Sequence, residues 1–267
     1  MTPAVLITGG GSGIGAAVAG RMADAGYGVC VTGRRVRPLE EVAAATGAIP
    51  VRADTTDPTE MRQAMTACVE RLGGLDALVV CAGSGSPGTV GEQTLESWNG
   101  VLATNLTGAF LACQVALPHL IESKGAIVTV ASLAGLRADP ASAAYCASKA
   151  GVVMLTQCVA VDYGPLGVRA NCVCPGWTRT PIADAEMDSL ASRTATDREE
   201  AYAMAVAHVP ARRAASAREV AEAVAWLASP AASYVNGAVL TVDGGTSVVD
   251  VGTLAFAAAT GRKAKTQ

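Results

Sequence analysis

Thr8-Gly9-Gly10-Gly11-Ser12-Gly13-Ile14-Gly15 follows the apolar run Ala4-Val5-Leu6-Ile7 without a break and leads straight into Ala16-Ala17-Val18-Ala19. An apolar segment of strand length, a glycine-rich turn and a helix-forming segment predict strand, turn and helix in that order, with the helix over 14–25 and its end near Gly26. Glycines at such a turn let backbone N–H groups come close to a pyrophosphate, and the first turn of the helix adds unpaired N–H groups and a dipole that favours an anion. A tight strand-to-helix turn without a ligand would use the same residues. Walker-type nucleotide binding is disfavoured, because no Gly-Lys-Ser/Thr follows.

Working outward, apolar segments over 28–32, 49–52, 75–81, 126–132, 168–174 and 237–242 predict further strands. Segments over 38–46, 58–72, 95–121, 143–163 and 216–229 predict the helices between them, with Pro58 at the start of one and Ser216, followed by Glu219, capping another. Strands that are apolar throughout, alternating with helices, imply an α/β fold: a doubly wound, Rossmann-like parallel sheet covered on both faces. The rhythm breaks only at 177–209, a mixed and charge-rich stretch with Pro181 and Pro210 near its ends, which reads as an insertion over the sheet edge. A single domain is expected over 1–249, with a C-terminal tail at 250–267 whose last residues, 262–267, are expected to fray.

Composition narrows the class. The chain has 267 residues, of which 51% are hydrophobic, 16% charged and only 4% aromatic, so its core must be built from Ala, Val, Leu and Ile. A net charge of −3 without a basic run argues against a nucleic-acid partner and for a small molecule. No signal peptide is evident, and no uninterrupted apolar stretch reaches the roughly 18 residues of a membrane span. The eight cysteines lie singly in apolar stretches except Cys172-Val173-Cys174, whose successive side chains alternate between the faces of a strand. With only His119 and His208 beside them they form no metal set, and a reduced, cytoplasmic protein is expected.

Ser132, the run Tyr145-Cys146-Ala147-Ser148-Lys149 and Pro175-Gly176 each fall at or near the carboxyl end of a predicted strand or on the helix beginning beside it, the edge where open α/β sheets bind ligands. Joined to Thr-Gly-x-x-x-Gly-x-Gly at 8–15 and to Asn105, this pattern closely resembles the compact type of short-chain dehydrogenase/reductase, over about 3–245. The resemblance implies an NAD(P)-dependent oxidoreductase that moves a hydride between nicotinamide and a secondary alcohol or ketone. It places Thr8, Gly9, Ser12, Gly13, Ile14 and Gly15 in the pyrophosphate turn, Asp54 beside the adenine, and Ala82 and Gly83 where backbone approaches the cofactor. It makes Asn105, Ser132, Tyr145 and Lys149 the catalytic four, with Pro175, Gly176, Thr178 and Thr180 near the nicotinamide. One motif departs: Val80-Cys81-Ala82-Gly83 stands where the family usually has Asn-Asn-Ala-Gly, which puts local bracing in doubt before catalysis. The alternative is a non-catalytic nucleotide-binding or regulatory protein that kept the fold, but such proteins typically lack one of the four.

The chemistry fits these residue types. A tyrosine titrates near 10 and is a poor base at neutral pH unless positive charge favours the phenolate; Lys149, one helical turn after Tyr145, is placed to supply it. The resemblance adds that Lys149 holds the cofactor ribose, Asn105 anchors a water in a proton relay and Ser132 bonds the substrate oxygen. Thr32-Gly33-Arg34-Arg35 puts glycine where an acid would hold the ribose 2′-hydroxyl of NAD, and follows it with two arginines suited to a 2′-phosphate. NADP is therefore the expected cofactor, ahead of NAD, although Ser12 stands where many NADP-binding relatives carry a basic residue.

The helical stretches 95–116 and 150–161 are apolar over more than the stripe that covers a sheet, which points to a homotetramer or homodimer, the family's usual assembly. The segment 177–209 is expected to be a mobile substrate lid. Its Trp177, Ile182, Met187, Leu190, Tyr202 and Met204 would shape a hydrophobic pocket, and Asp184, Glu186 or Asp188 would disfavour an anionic substrate if one faced inward. An uncharged ketone or secondary alcohol of modest size follows.

Overall fold

Strand β1 (Ala4–Thr8) is buried along its whole length and pairs in parallel with β2 (Gly28–Gly33) on one side and β4 (Ala77–Val80) on the other. This is the centre of the sheet in a computed structural model that describes residues 2–254 and 256. With β3 (Ile49–Arg52), β5 (Ala126–Val130), β6 (Arg169–Pro175) and β9 (Val239–Val242), the order is β3-β2-β1-β4-β5-β6-β9, every pairing parallel. The order reverses between β1 and β4, the switch point beyond whose carboxyl ends open α/β sheets bind ligands. Residues 262–267 lie outside the described residues.

The two faces explain the unbroken apolar strands. On one face Leu6, Leu78 and Ile127 pack with Met61, Leu120 and Val152 from α3 (Pro58–Leu72), α5 (Gly108–Ser123) and α6 (Ala143–Tyr163). On the other, Val5, Ile7, Val79 and Val128 pack with Val18, Leu39 and Val224 from α1 (Gly13–Asp24), α2 (Val36–Thr46) and α9 (Ala217–Ala228). Sheet residues reach both layers, so no alternation of polarity is possible. The predicted caps are present: Pro58 opens α3 behind an Asp57 cap, and Ser216 and Glu219 form a reciprocal capping box on α9.

Several boundaries shift by a residue or two from the sequence expectation, and three of the differences bear on function. The runs 75–81 and 126–132 end as strands at Val80 and Val130, so Cys81 and Ser132 stand free of regular strand at the sheet's carboxyl edge. The predicted helix over 95–121 is α4 (Leu95–Leu102), a π-helical turn at Ala103–Thr107, and α5. The extra residue of that turn carries Asn105, buried at 1% exposure. Leu95–Ser123 and Ala143–Leu166 are long and apolar enough to cross a membrane by length and composition, yet each lays one side against the sheet.

The segment 177–209 is rooted by β7 (Thr178–Arg179), which pairs in parallel with β8 (Ala215–Ser216). It continues as α7 (Pro181–Thr194) and α8 (Arg198–Ala205), which enclose a small core of their own: Ala183, Met187, Ala191, Ala201 and Tyr202. Met187 and Tyr202 therefore hold the two helices together and do not line a pocket, and Leu190 packs against the same cluster. Trp177, Ile182 and Met204 remain exposed.

Candidate active site

The turn after β1 is shaped for close backbone approach. Gly9 has φ +65°, and a Cβ there would lie 2.7 Å from the Ala82 nitrogen and 2.9 Å from the Cys81 carbonyl carbon. Gly13 has φ +54°, and a Cβ there would come 3.3 Å from Thr180, which caps α7 by accepting from the Ala183 N–H. The glycine turn thus lies directly under the root of α7. Ser12 takes the cap position of α1 without capping it through its side chain, and no acid occupies the first turn, so the helix presents N–H donors to an incoming phosphate. At the end of β2 the Thr32 hydroxyl is buried without a partner. A glycine cradle with unused donors fits a dinucleotide's pyrophosphate.

Thr8 differs from its expected place in that contact. Its buried hydroxyl accepts from the N–H groups of Cys81 (3.2 Å) and Ala82 (3.3 Å), and so it pins β1 to the end of β4. This is bracing at the very point where Val80-Cys81 stands for the family's asparagines. Arg35 donates to Ser12 Oγ at 3.4 Å, and Arg34 beside it is exposed. Asp54, at the end of β3, accepts from the Thr56 N–H and hydroxyl at 2.9 and 2.8 Å. Partial burial pushes its carboxyl up, but these bonds and the charges of Arg34 and Arg52 hold it below its ordinary value. No acid follows Gly33, and a Cβ there would meet only Leu39, at 3.8 Å.

Ser132, Tyr145, Lys149 and Asn105 gather around the loop after β4. Asn105 Oδ1 accepts from the Ser84 N–H (2.8 Å), and its Nδ2 donates to the Ser84 carbonyl (2.9 Å) and to Ser148 Oγ (2.9 Å). Ser148 in turn donates to the Tyr145 carbonyl at 2.7 Å, so the π-helical turn fixes both the loop and the start of α6. A Cβ at Gly83 would stand 3.4 Å from Lys149 Nζ and 3.5 Å from Asn105 Oδ1, so both groups face the same glycine. Lys149, 5% exposed, donates from Nζ to the Val130 carbonyl at 3.0 Å and lies 5.7 Å from the centre of the Tyr145 ring. Ser132 caps the short turn Leu133–Gly135 through the Ala134 N–H at 3.1 Å, and it stands near enough to the Tyr145 phenol to lower its pKa.

The electrostatics run against the simple expectation that Lys149 draws the phenol down. Burial pushes Tyr145 up to about 12; the nearby Ser132 hydroxyl lowers it, while the Glu186 and Asp139 carboxylates raise it further. Burial also lowers Lys149, whose ammonium is bonded to the Val130 carbonyl. Pro175 ends β6, the Gly176 N–H donates to the Val242 carbonyl at 3.0 Å, and Thr178 Oγ1 donates to the Gly176 carbonyl at 3.0 Å. The stretch from Pro175 to Thr180 is therefore a hydrogen-bonded rim between the sheet and α7.

A family model described as enoyl-(acyl carrier protein) reductase matches residues 9–247 of this chain. The chain is a short-chain dehydrogenase/reductase. Among its relatives, "Protein MoaE" of Klebsiella aerogenes is 42% identical over 96% of this chain and 100% of its own. Meso-2,3-butanediol dehydrogenase of Serratia marcescens is 35% identical over 92% of this chain and 95% of its own. A variant of actinorhodin polyketide ketoreductase solved with NADPH is similar in fold, with a TM-score of 0.87 and 34% identity over 91% of this chain and 97% of its own. As a short-chain dehydrogenase/reductase, the protein is an NAD(P)-dependent oxidoreductase acting on CH–OH groups.

Three features escaped the sequence reading: the Ser148 link between Asn105 and α6, the Thr8 brace, and the approach of Asp139 to Tyr145. Glu186, one of the three acids of 177–209 considered as facing inward, borders the Tyr145 ring at Gly85 and had a legible signal. Ala183, Met187 and Ala191 recur at helical spacing on the buried stripe of α7, and Glu186 sits on the flank of that stripe.

Proposed function

We propose that this enzyme interconverts small secondary alcohols and ketones at the crevice beside Gly83, with Tyr145 as general acid/base. The observation that carries this reading is the convergence of Lys149 Nζ and Asn105 Oδ1 on Gly83, with the Tyr145 ring 5.7 Å from that Nζ. When bound, the nicotinamide ring supplies the hydride chemistry. The chain's residues do the rest. Tyr145 gives a proton to the forming alkoxide in reduction, or takes the carbinol proton in oxidation. Ser132 donates a hydrogen bond to the substrate oxygen, Lys149 holds the cofactor ribose, and Asn105 fixes the loop over which both act. The helices α7 and α8 serve as a substrate lid whose closure excludes water.

A phenol raised to about 12 is protonated at neutral pH, so it is ready as an acid for ketone reduction. As a base it must first lose its proton. Oxidation is therefore expected to gain rate as pH rises, whereas reduction holds level and declines only on the alkaline side.

For the cofactor we propose NADP(H) ahead of NAD(H). Arg34 and Arg35 crowd the end of β2, where an acid would otherwise hold a free ribose 2′-hydroxyl, and the bond from Arg35 to Ser12 brings its guanidinium to the edge of the glycine turn. A screen of alcohols and ketones with both cofactors, followed by nicotinamide absorbance, tests the reaction and the preference together. The expected result is kcat/KM favouring NADP(H), with the ratio moving toward NAD(H) by about tenfold in Arg34→Ala, the loss of one charge-assisted bond. A preference for NAD(H) that Arg34→Ala leaves in place would refute the cofactor assignment.

We further propose a homotetramer, or at least a homodimer, in a reducing cytoplasm. Leu95 is 73% exposed and Val161 74%, and Phe110 and Met154 lie exposed on the same helical layer. All eight cysteines are free thiols, most of them buried. Light scattering at micromolar concentration is expected to give a multiple of the chain mass; a monomer would reject the assembly.

A further inference from the structure

The acids of the lid divide into two kinds. Asp188 is held by Arg198 through bonds of 2.6 Å, Asp184 accepts from the Tyr202 hydroxyl at 2.8 Å, and Glu199 is paired with Arg179. Glu200 is used in the capping box of α8. Glu186 is different. Among the described residues its carboxylate has neither an ion pair nor a hydrogen bond, and it is turned from α7 into the cleft. A Cβ placed on Gly85 would meet Glu186 Oε1 at 3.9 Å and Tyr145 Cδ2 at 4.0 Å, so the free carboxylate and the catalytic ring border the same spot above the loop after β4.

A second carboxylate supports it. Asp139, in the loop between Leu133–Gly135 and α6, also has no cationic partner among the described residues, and its field reaches both Tyr145 and Glu186. Both acids are open to solvent in the cleft, yet the surrounding protein desolvates them enough to raise both carboxyls above the ordinary range. Two uncompensated acids beside one reacting centre repel an anion and attract a cation, and the attraction grows as a closing lid removes water.

We propose that Glu186, backed by Asp139, is a specificity-determining residue that selects alcohols and ketones carrying an ammonium group next to, or one carbon further from, the reacting carbon. This deepens the reaction assigned above and rests on it. The reacting oxygen takes its place at Ser132 and Tyr145, and the ammonium lies toward Gly85 and accepts the field of Glu186. Gly85 leaves that path open, since a side chain there would stand between the two groups. An uncharged alcohol still fits but gains nothing from the carboxylates. An alcohol with a carboxylate in the ammonium's place meets repulsion.

Three alcohols that share a CH3–CH(OH)–CH2 frame test this at neutral pH: isopropanolamine, sec-butanol and β-hydroxybutyrate. The expected order of kcat/KM is ammonium, neutral, carboxylate, with the first exceeding the second by at least about tenfold. Glu186→Gln should collapse that ratio by about tenfold, while Asp188→Asn, whose carboxylate is bonded to Arg198, leaves it unchanged. Equal or better use of sec-butanol by the wild type would overturn the proposal, as would a Glu186→Gln loss shared equally by all three alcohols. Titration of the NADPH-bound protein with each alcohol, read by nicotinamide fluorescence, separates selectivity from turnover. Selective binding of isopropanolamine without turnover supports the site and counts against the reaction, whereas binding without selectivity overturns the site even if all three alcohols react.

Discussion

Tyr145→Phe is expected to lose about 10²- to 10⁴-fold in kcat while still binding cofactor, because removing the phenol removes the group that exchanges a proton with the substrate oxygen. The substitution deletes one oxygen and keeps the ring, so the packing of α6 and its Asn105–Ser148 tie are untouched. The pH profile makes the loss diagnostic. In the wild type the oxidation rate climbs on the alkaline side as the raised phenol gives up its proton, and in Tyr145→Phe that limb should vanish. Turnover close to wild type, or a limb that survives, would assign the proton to another group.

Gly9→Val is expected to abolish cofactor binding and to lower the melting temperature sharply. At φ +65° a β-branched residue is strained, and its Cβ would press on the Ala82 backbone at 2.7 Å, where no flexible side chain can yield. Strain and overpacking together come to about 3 kcal/mol. The distortion would also strike the Thr8 bonds to Cys81 and Ala82, which carry the bracing at this edge. Thermal unfolding with and without NADPH reads both effects: a low melting temperature that cofactor does not raise. A normal melting temperature with a full cofactor-induced shift would mean that the turn is looser than its geometry states.

The sheet was legible because its strands are buried on both faces. Ala4–Thr8 and Ala77–Val80 leave no room for polar alternation, and the glycines after Thr8 mark a place where backbone must come close to something else. The four residues proposed to be catalytic were legible as a pattern of residue types at fixed places in the βα rhythm, and the structure brings them to one edge of the sheet. Boundaries were less so. Apolar character continues through Cys81 and Ala131, but the strands stop at Val80 and Val130, where Cys81 turns to the Thr8 hydroxyl and Ser132 takes up a cap.

Side-chain commitments made across the fold left no trace in local sequence. That Lys149 donates to Val130, or that Asn105 is tied to Ser84 and Ser148, depends on how far apart segments meet. The segment 177–209 shows the same limit in reverse. Met187 and Tyr202 looked like pocket residues by type and position, but two short helices standing off the sheet need a core of their own and use these side chains to build it. The apolar count could not tell the two uses apart.

The central claim is that this site moves hydride directly between a carbinol carbon and nicotinamide while Tyr145 handles the proton. The most direct test uses the best alcohol of the screen with deuterium on its carbinol carbon, and follows the label into reduced cofactor by mass spectrometry. The account predicts that the deuterium appears in the nicotinamide and not in solvent, and that its transfer slows by about 10²-fold or more in Tyr145→Phe. Solvent hydrogen in the reduced nicotinamide, or transfer at an undiminished rate in that variant, would contradict it.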